Sequence, residues 1–199
     1  VDVLFQTHDT LWVGSGKGLS QTMNGGQTWN HFPNTQSFDS KGISAIDGND
    51  KIIWVASAFT EKSGTESIPV GAGLHFSTDQ GITWTHTPQP VDAGTIDTLT
   101  YGTNRIRALA ITVPQQNITY DLAVTNSAVW IASFAGMLRK STNLGQTWER
   151  VILPPDGPIN SIAPTDTLDF DLAPVGGTLG LRENLNHRVF SVFLPNDST

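Results

Sequence analysis

The chain has no cysteine among its 199 residues, which excludes disulfides and thiolate metal sites. Tyrosine and methionine are scarce, with two of each, and only 15% of residues are charged. Cations are the poorer class: 11 Lys and Arg face 18 Asp and Glu, a formal net charge of −7. A phosphate backbone demands a basic surface, so nucleic acid is not expected as the main partner. The acidic surplus serves solubility. No stretch reaches the ~20 apolar residues of a membrane span, and no window carries a sustained amphipathic helical period. No signal peptide is present and the first residue is Val1 rather than Met; a trimmed mature domain or an internal fragment is expected. The histidines His8, His31, His75, His86 and His187 show no metal-ligand spacing such as His-x-x-x-His. Gly14-Ser15-Gly16-Lys17-Gly18 reads as a strand-to-strand turn rather than a phosphate loop, because no helix follows it. Neither a metal nor a cofactor is expected.

The chain is rich in turn formers, with 19 Gly and 11 Pro. They punctuate a repeat. Thr22-Met23-Asn24-Gly25-Gly26-Gln27-Thr28-Trp29 recurs as Ser77-Thr78-Asp79-Gln80-Gly81-Ile82-Thr83-Trp84 and as Ser141-Thr142-Asn143-Leu144-Gly145-Gln146-Thr147-Trp148. The shared form is [Ser/Thr]-x-[Asp/Asn]-x-Gly-x-Thr-Trp. Asp or Asn accepts backbone N–H bonds across a turn, Gly supplies a left-handed backbone position, and Trp offers a large ring to a neighbouring sheet. Ahead of each copy lies a short apolar run: Leu11–Ser15, Ile53–Ser57 and Val129–Ser133. Such a run is what a strand buried on both faces looks like. Four strands per repeat follow, at Val1–Thr7, Leu11–Ser15, Leu19–Thr22 and Thr28–Phe32 in the first unit. In the second they fall at Ile43–Ile46, Ile52–Ser57, Leu74–Ser77 and Thr83–Thr87. In the third they fall at Ile118–Val124, Val129–Ser133, Leu138–Ser141 and Thr147–Ile152.

Four antiparallel strands repeating at intervals of roughly 40 residues plus insertions is the arithmetic of a β-propeller blade. The motif resembles the Asp-box, or BNR repeat, of sialidase-like and glycosyl-hydrolase-like propellers. The fold expected is all-β, a partial β-propeller of four-stranded antiparallel blades with Asp-box hairpins. The chain divides into blade 1 (1–33), blade 2 (42–88), blade 3 (95–153, with an inserted hairpin) and an incomplete blade 4 (158–199). The fourth is inferred from Asp166–Phe170, which echoes Asp97–Tyr101, and from Arg188–Val192, which echoes Ile118–Leu122. The remaining blades are expected outside this sequence. The resemblance implies structural roles for Thr22, Asn24, Gly26, Thr28 and Trp29, for Ser77, Asp79, Gly81, Thr83 and Trp84, and for Ser141, Asn143, Gly145, Thr147 and Trp148. Each Trp is expected to wedge one sheet against the next.

Two insertions stand out. Phe59–Ala72 reads as a polar exposed loop, and Thr95–Tyr101 with Ile106–Val113 flank a Gly102-Thr103-Asn104 turn as an inserted hairpin. Loops carry recognition in such folds, so these insertions form the candidate binding face, with Tyr101, Arg105, Arg107, Asp121 and Asp169 as candidate residues. Sialidase chemistry needs an Arg cluster for a carboxylate and a Tyr nucleophile. The sialidase resemblance further implies an Arg-Ile-Pro type motif, and none of these is visible. Xyloglucanase-like propellers, and the Asp-box propeller of photosystem assembly factors, are similar too; the former use two aspartates, for which Asp97, Asp121, Asp169 and Asp171 are available. No catalytic residue is assigned. The leading expectation is a non-catalytic bacterial scaffold, secreted or periplasmic, that binds a protein or polysaccharide. The alternative is a glycoside hydrolase, sialidase-like or xyloglucanase-like, completed by missing blades.

Overall fold

Alternation of short apolar runs with Gly-rich turns makes this chain pair strand on neighbouring strand. In the computed structural model, residues 3–7, 9–94, 96–101 and 104–151 are described. The elements are β1 (Val3–Thr7), β2 (Thr10–Ser15), β3 (Gly18–Thr22), β4 (Asn30–Pro33), α1 (Asn34–Ser37), β5 (Gly42–Gly48), β6 (Ile53–Ser63), β7 (Glu66–Ser77), β8 (Thr85–Thr87), β9 (Ile96–Tyr101), β10 (Asn104–Leu109), β11 (Thr119–Val124), β12 (Val129–Ser133), β13 (Met137–Ser141) and β14 (Glu149–Val151). They form three four-stranded antiparallel sheets, β1-β2-β3-β4, β5-β6-β7-β8 and β11-β12-β13-β14, and the two-stranded sheet β9-β10. The fold is all-β, and its succession of four-stranded meanders is consistent with a partial propeller. The one helical turn, α1, follows Pro33 and was not expected from the sequence. The fourth-blade segment 158–199 lies outside the described residues.

Each of the three Gly-x-Thr-Trp turns is closed by the same hydrogen bonds. Gly26 N donates to Thr22 Oγ1 (2.9 Å), Gly81 N to Ser77 Oγ (2.8 Å) and Gly145 N to Ser141 Oγ (3.0 Å). Thr28 N, Thr83 N and Thr147 N donate to Oδ1 of Asn24, Asp79 and Asn143 at 2.9, 2.8 and 3.0 Å. The threonine hydroxyl reverses its role with its partner. It donates to the Asp79 carboxylate (2.6 Å) but accepts from the Asn24 and Asn143 amides (2.9 and 2.8 Å). A hydroxyl is both donor and acceptor, so Asp and Asn serve equally. The bonds from Thr83 and Ser77 pull the Asp79 carboxyl down to about 2. They also explain a difference in boundaries. The fourth strands begin at Asn30, Thr85 and Glu149, not at the threonine two residues earlier, because that threonine's N–H is held by the turn and not by the ladder.

The sheets meet through these turns. Gly81 and Gly145 adopt φ of +85° and +77°, and each is preceded by a second left-handed residue, Gln80 or Leu144. A Cβ on Gly81 would lie 2.9 Å from the Trp12 ring and 3.2 Å from Phe32; one on Gly145 would lie 3.2 Å from Trp54. Trp12 and Trp54, on the second strand of their sheets, are buried. Trp84 then packs edge-on to Phe32 (6.5 Å between centroids) and Phe38 (5.2 Å), and Trp148 packs against the cluster of Trp54, Leu74 and Ile131. Burying a Trp removes roughly 200 Å² from water, a gain of about 5 kcal/mol before entropy. The wedge role expected of Trp29 is corrected here: it is 49% exposed, because no sheet precedes it among the described residues. For the same reason β2 alternates between buried and half-buried residues, whereas Ile53–Ser57 in the middle sheet is buried throughout.

His75 sits inside the first joint. Its ring is edge-on to Phe38 (5.2 Å), tilted against His86 (4.7 Å), and its Nε2 lies 3.2 Å from Ser57 Oγ. Burial first, then the neighbouring His86, push its pKa down from 6.5 to about 4, against an opposing pull from Asp39. The unfolded chain therefore takes up this proton first as pH falls.

Two outcomes are expected. Stability should decline as pH drops from about 6.5 to about 4, by on the order of 3 kcal/mol from this group, and fall no further from it below that; urea midpoints across pH should show a flatter profile for His75→Gln. Gly81→Ala should cost about 2–3 kcal/mol by adding a clash with Trp12 to the left-handed strain, whereas Gly26→Ala, whose Cβ would meet nothing closer than 3.8 Å, should cost only the strain of about 1 kcal/mol. Equal losses in thermal unfolding would refute the seating of Gly81 on Trp12.

Candidate functional site

In a four-stranded meander the first-to-second and third-to-fourth connections lie at one end of the strands. The second-to-third connection and the crossover to the next sheet lie at the other. The three Gly-x-Thr-Trp turns therefore occupy one end, and both insertions occupy the opposite one. Phe59–Ala72, read from sequence as a polar loop, is instead a continuation of β6 and β7. Pairing resumes after a bulge with Ala58 opposite Gly71 and runs to Ser63 opposite Glu66. Gly64 takes φ of +64° at the tip. The misreading has a physical cause: both faces of this arm meet water, so its sequence lacks the apolar alternation of a half-buried strand.

The second insertion pairs as β9 with β10, Ile96 opposite Leu109 through Tyr101 opposite Asn104. It stops short of the expected Val113. Ile111 leaves the ladder to pair with Asp92, its N–H donating to Asp92 Oδ2 (2.7 Å) while Asp92 N donates to Ile111 O (2.7 Å). The strap that follows lies along the first arm: Gly71 N donates to Pro114 O (3.0 Å) and Gln116 N to Pro69 O (2.7 Å). Gln115 Nε2 also reaches Glu61 Oε2 (3.3 Å). The two insertions are thereby joined into one surface.

Charge anchors that surface from beneath. The Asp92 carboxylate receives Arg139 Nη2 at 2.7 Å and Arg150 Nη1 at 3.3 Å, with all three side chains at most 7% exposed. Arg139 Nε donates to Gly136 O (3.2 Å). Fully buried Asn117 donates to Pro90 O (3.0 Å) and accepts from Gly136 N (2.8 Å). Gln89 Nε2 donates to Thr119 Oγ1 (3.2 Å), which lies 3.2 Å from Ser133 Oγ. Above this layer Val91, Val113 and Tyr120 are exposed at 40%, 50% and 38%, and Lys41 Nζ lies 3.9 Å from the Phe59 ring centroid.

Of the residues singled out from sequence, Tyr101 lies at the end of β9, and Arg105 and Arg107 lie on β10 opposite Thr100 and Thr98. Asp121 lies on β11, half-buried, with Oδ1 accepting from Leu122 N (3.0 Å). Asp169 lies outside the described residues. Asp47, not singled out, is coupled to Asp121. Burial raises its carboxyl pKa, and the Asp121 charge raises it further, against the bonds from Val124 and Gly48. Asp92, Arg139, Arg150 and Asn117 were also not singled out. The available signal was Arg139, a charge inside the apolar strand Met137–Ser141. Among the described residues no three His, Asp or Glu side chains gather as a metal site, and no helix is long and apolar enough to cross a membrane.

No family model matches the chain, and no curated protein matches it. Among solved structures it is similar to an ancestral GH74 enzyme, at 20% identity and a TM-score of 0.44, over 74% of this chain and 17% of that one. It is similar to the extracellular domain of BT4673, described as a one component system, from B. thetaiotaomicron, at 14% identity and 0.38, over 76% and 22%. A third is YCF48 bound to D1 peptide, at 16% identity and 0.25, over 74% and 65%. The chain thus spans less than a quarter of the first two.

Removing the Asp92 carboxylate strands two buried guanidinium groups beside each other. Asp92→Ala should cost about 3–5 kcal/mol and speed amide exchange at Ile111, read by urea unfolding and hydrogen exchange. Unchanged exchange at Ile111 would show that Asp92 does not hold the base of the β9–β10 insertion.

Proposed function

We propose that this chain is part of an Asp-box β-propeller acting as a non-catalytic, extracytoplasmic scaffold, secreted or periplasmic, whose insertion-bearing end binds a protein or polysaccharide. The observation that carries the reading is the strap at 111–117, which ties the β6–β7 arm to the base of the β9–β10 insertion. Two insertions that merely tolerated drift would have no reason to share hydrogen bonds. A shared, anchored surface with exposed Val91, Val113 and Tyr120 and adjacent amide and carboxylate groups suits a ligand with mixed apolar and polar faces. Tyr101, Arg105, Arg107 and Asp121 belong to this end. The three turns are the Asp-boxes of the scaffold, and their bonds are spent within the turn, which leaves them a structural part.

A hydrolase reading draws on one further observation, the coupling of Asp47 to Asp121, since a carboxyl held protonated near an ionised one is the pairing that glycoside hydrolysis uses. The scaffold reading is preferred because Asp47 Oδ2 already accepts from Val124 N at 2.6 Å, a bond that joins two sheets.

The test is binding of the full chain to glycan and protein arrays, beside a variant in which residues 60–69 are replaced by a two-residue turn. Retention of a ligand by the parent and at least about tenfold loss in the shortened, still folded variant is the expected result. Turnover of β-glucan oligosaccharides or aryl sialosides that Asp121→Asn abolishes would overturn the non-catalytic reading.

A further inference from the structure

Each joint between sheets has two halves. One is a turn, Gly81 with Trp84 or Gly145 with Trp148. The other is the indole on the second strand of the preceding sheet, Trp12 or Trp54, on which the turn glycine sits. Both halves occur a third time without their complement. The Gly26–Trp29 turn meets no indole: a Cβ on Gly26 would touch only Trp29 of its own turn, and Trp29 and Met23 stand 49% and 64% exposed. On the third sheet Trp130 is half-buried and carries no turn glycine among the described residues. Its ring is instead overlain by Lys140, with Nζ 5.0 Å from the centroid. Lys140 stands opposite Trp130 in the register where Phe76 stands opposite Trp54.

We propose that these two halves meet between copies of the chain, the Gly26–Trp29 turn of one molecule seating on Trp130 of a second. The internal joints supply the argument for this occupant. The geometry that seats Gly81 on Trp12 and Gly145 on Trp54 needs only a bare glycine, a following Trp and a flat indole, and the ends of the described arc present those parts and in that order. The contact is heterologous, different surfaces on the two partners, so association continues head to tail and does not stop at a symmetric pair. An exposed Trp and Met at its centre are the side chains enriched at such contacts. Lys140 is the weak point. Its methylene stem can stay over the indole while its ammonium turns to water, but it replaces the aromatic partner that Phe76 provides to Trp54. The contact uses neither insertion arm, so it stands or falls separately from the ligand-binding reading.

Sedimentation velocity of the full chain over a wide micromolar range tests this. The weight-average mass should rise with concentration and pass beyond a dimer. Trp29→Ser and Trp130→Ser should each weaken association at least about tenfold, and Met23→Lys, a change at an exposed site that leaves the fold alone, should weaken it too. An equimolar mixture of Trp29→Ser and Trp130→Ser should stop at a dimer, because only one intact turn and one intact indole remain to meet. Lys140→Phe should tighten association by restoring the aromatic pair. Unfolding curves for each variant separate loss of contact from loss of fold. A monomeric mass at every concentration for both the parent and Lys140→Phe would overturn the proposal. So would oligomers indifferent to Trp29 and Trp130, or a mixture that grows past the dimer; a parent that stays monomeric would leave the Trp29 face to a further sheet of a longer polypeptide.

Discussion

A glycine Cα pressed against the edge of an indole sets the spacing between successive sheets. At Gly81 and Gly145 no Cβ fits between the turn and the Trp of the sheet before it, and the backbone there is left-handed. Those two demands coincide on one residue type. The turn's own bonds, from Ser or Thr to the glycine N–H and from Asp or Asn to the threonine N–H, hold the glycine at the height that the indole requires. The Trp that follows then fills the space beside it. Folding energy and sheet-to-sheet geometry are thus fixed by the same eight residues.

The other end of the strands is free of that constraint, and it is where the chain varies. There the β6–β7 arm grows out of the middle sheet and the β9–β10 insertion interrupts the crossover to the third. Neither is left loose. A buried aspartate between two arginines fastens the base of one, and a short strap pairs with the other. A buried ion pair of this kind is poor evidence for stability, since desolvation offsets most of its attraction. Here its effect is positional: it fixes where the crossover turns and hence where the exposed apolar side chains above it stand.

The joints also contain the chain's most perturbed side chains. His75 is neutral because it lies among Phe38, Ser57 and His86 between two sheets, and Asp47 is partly deprived of water where β5 meets β11. Both sit where one sheet leans on another. Acid therefore acts on the same contacts that define the architecture, and it does so through a histidine and not through the turn aspartate, whose bonds favour the charged form.

The sequence by itself determined the all-β class and the strands flanking each turn, because an apolar run of five residues, a glycine bend and a Trp are local signals with local causes. It also bore the trace of the insertions. It did not reveal that Phe59–Ala72 is a paired arm, since a hairpin wet on both faces has no periodicity to read. Nor did it reveal that Trp29 stands in water while Trp84 and Trp148 are covered: the three residues share one motif, and only the presence of a preceding sheet tells them apart. Asp92 and Arg139 lie 47 residues apart, and Asp47 and Val124 lie 77 apart. Contacts at such separations arise from how whole sheets pack, so only the tertiary structure could decide them.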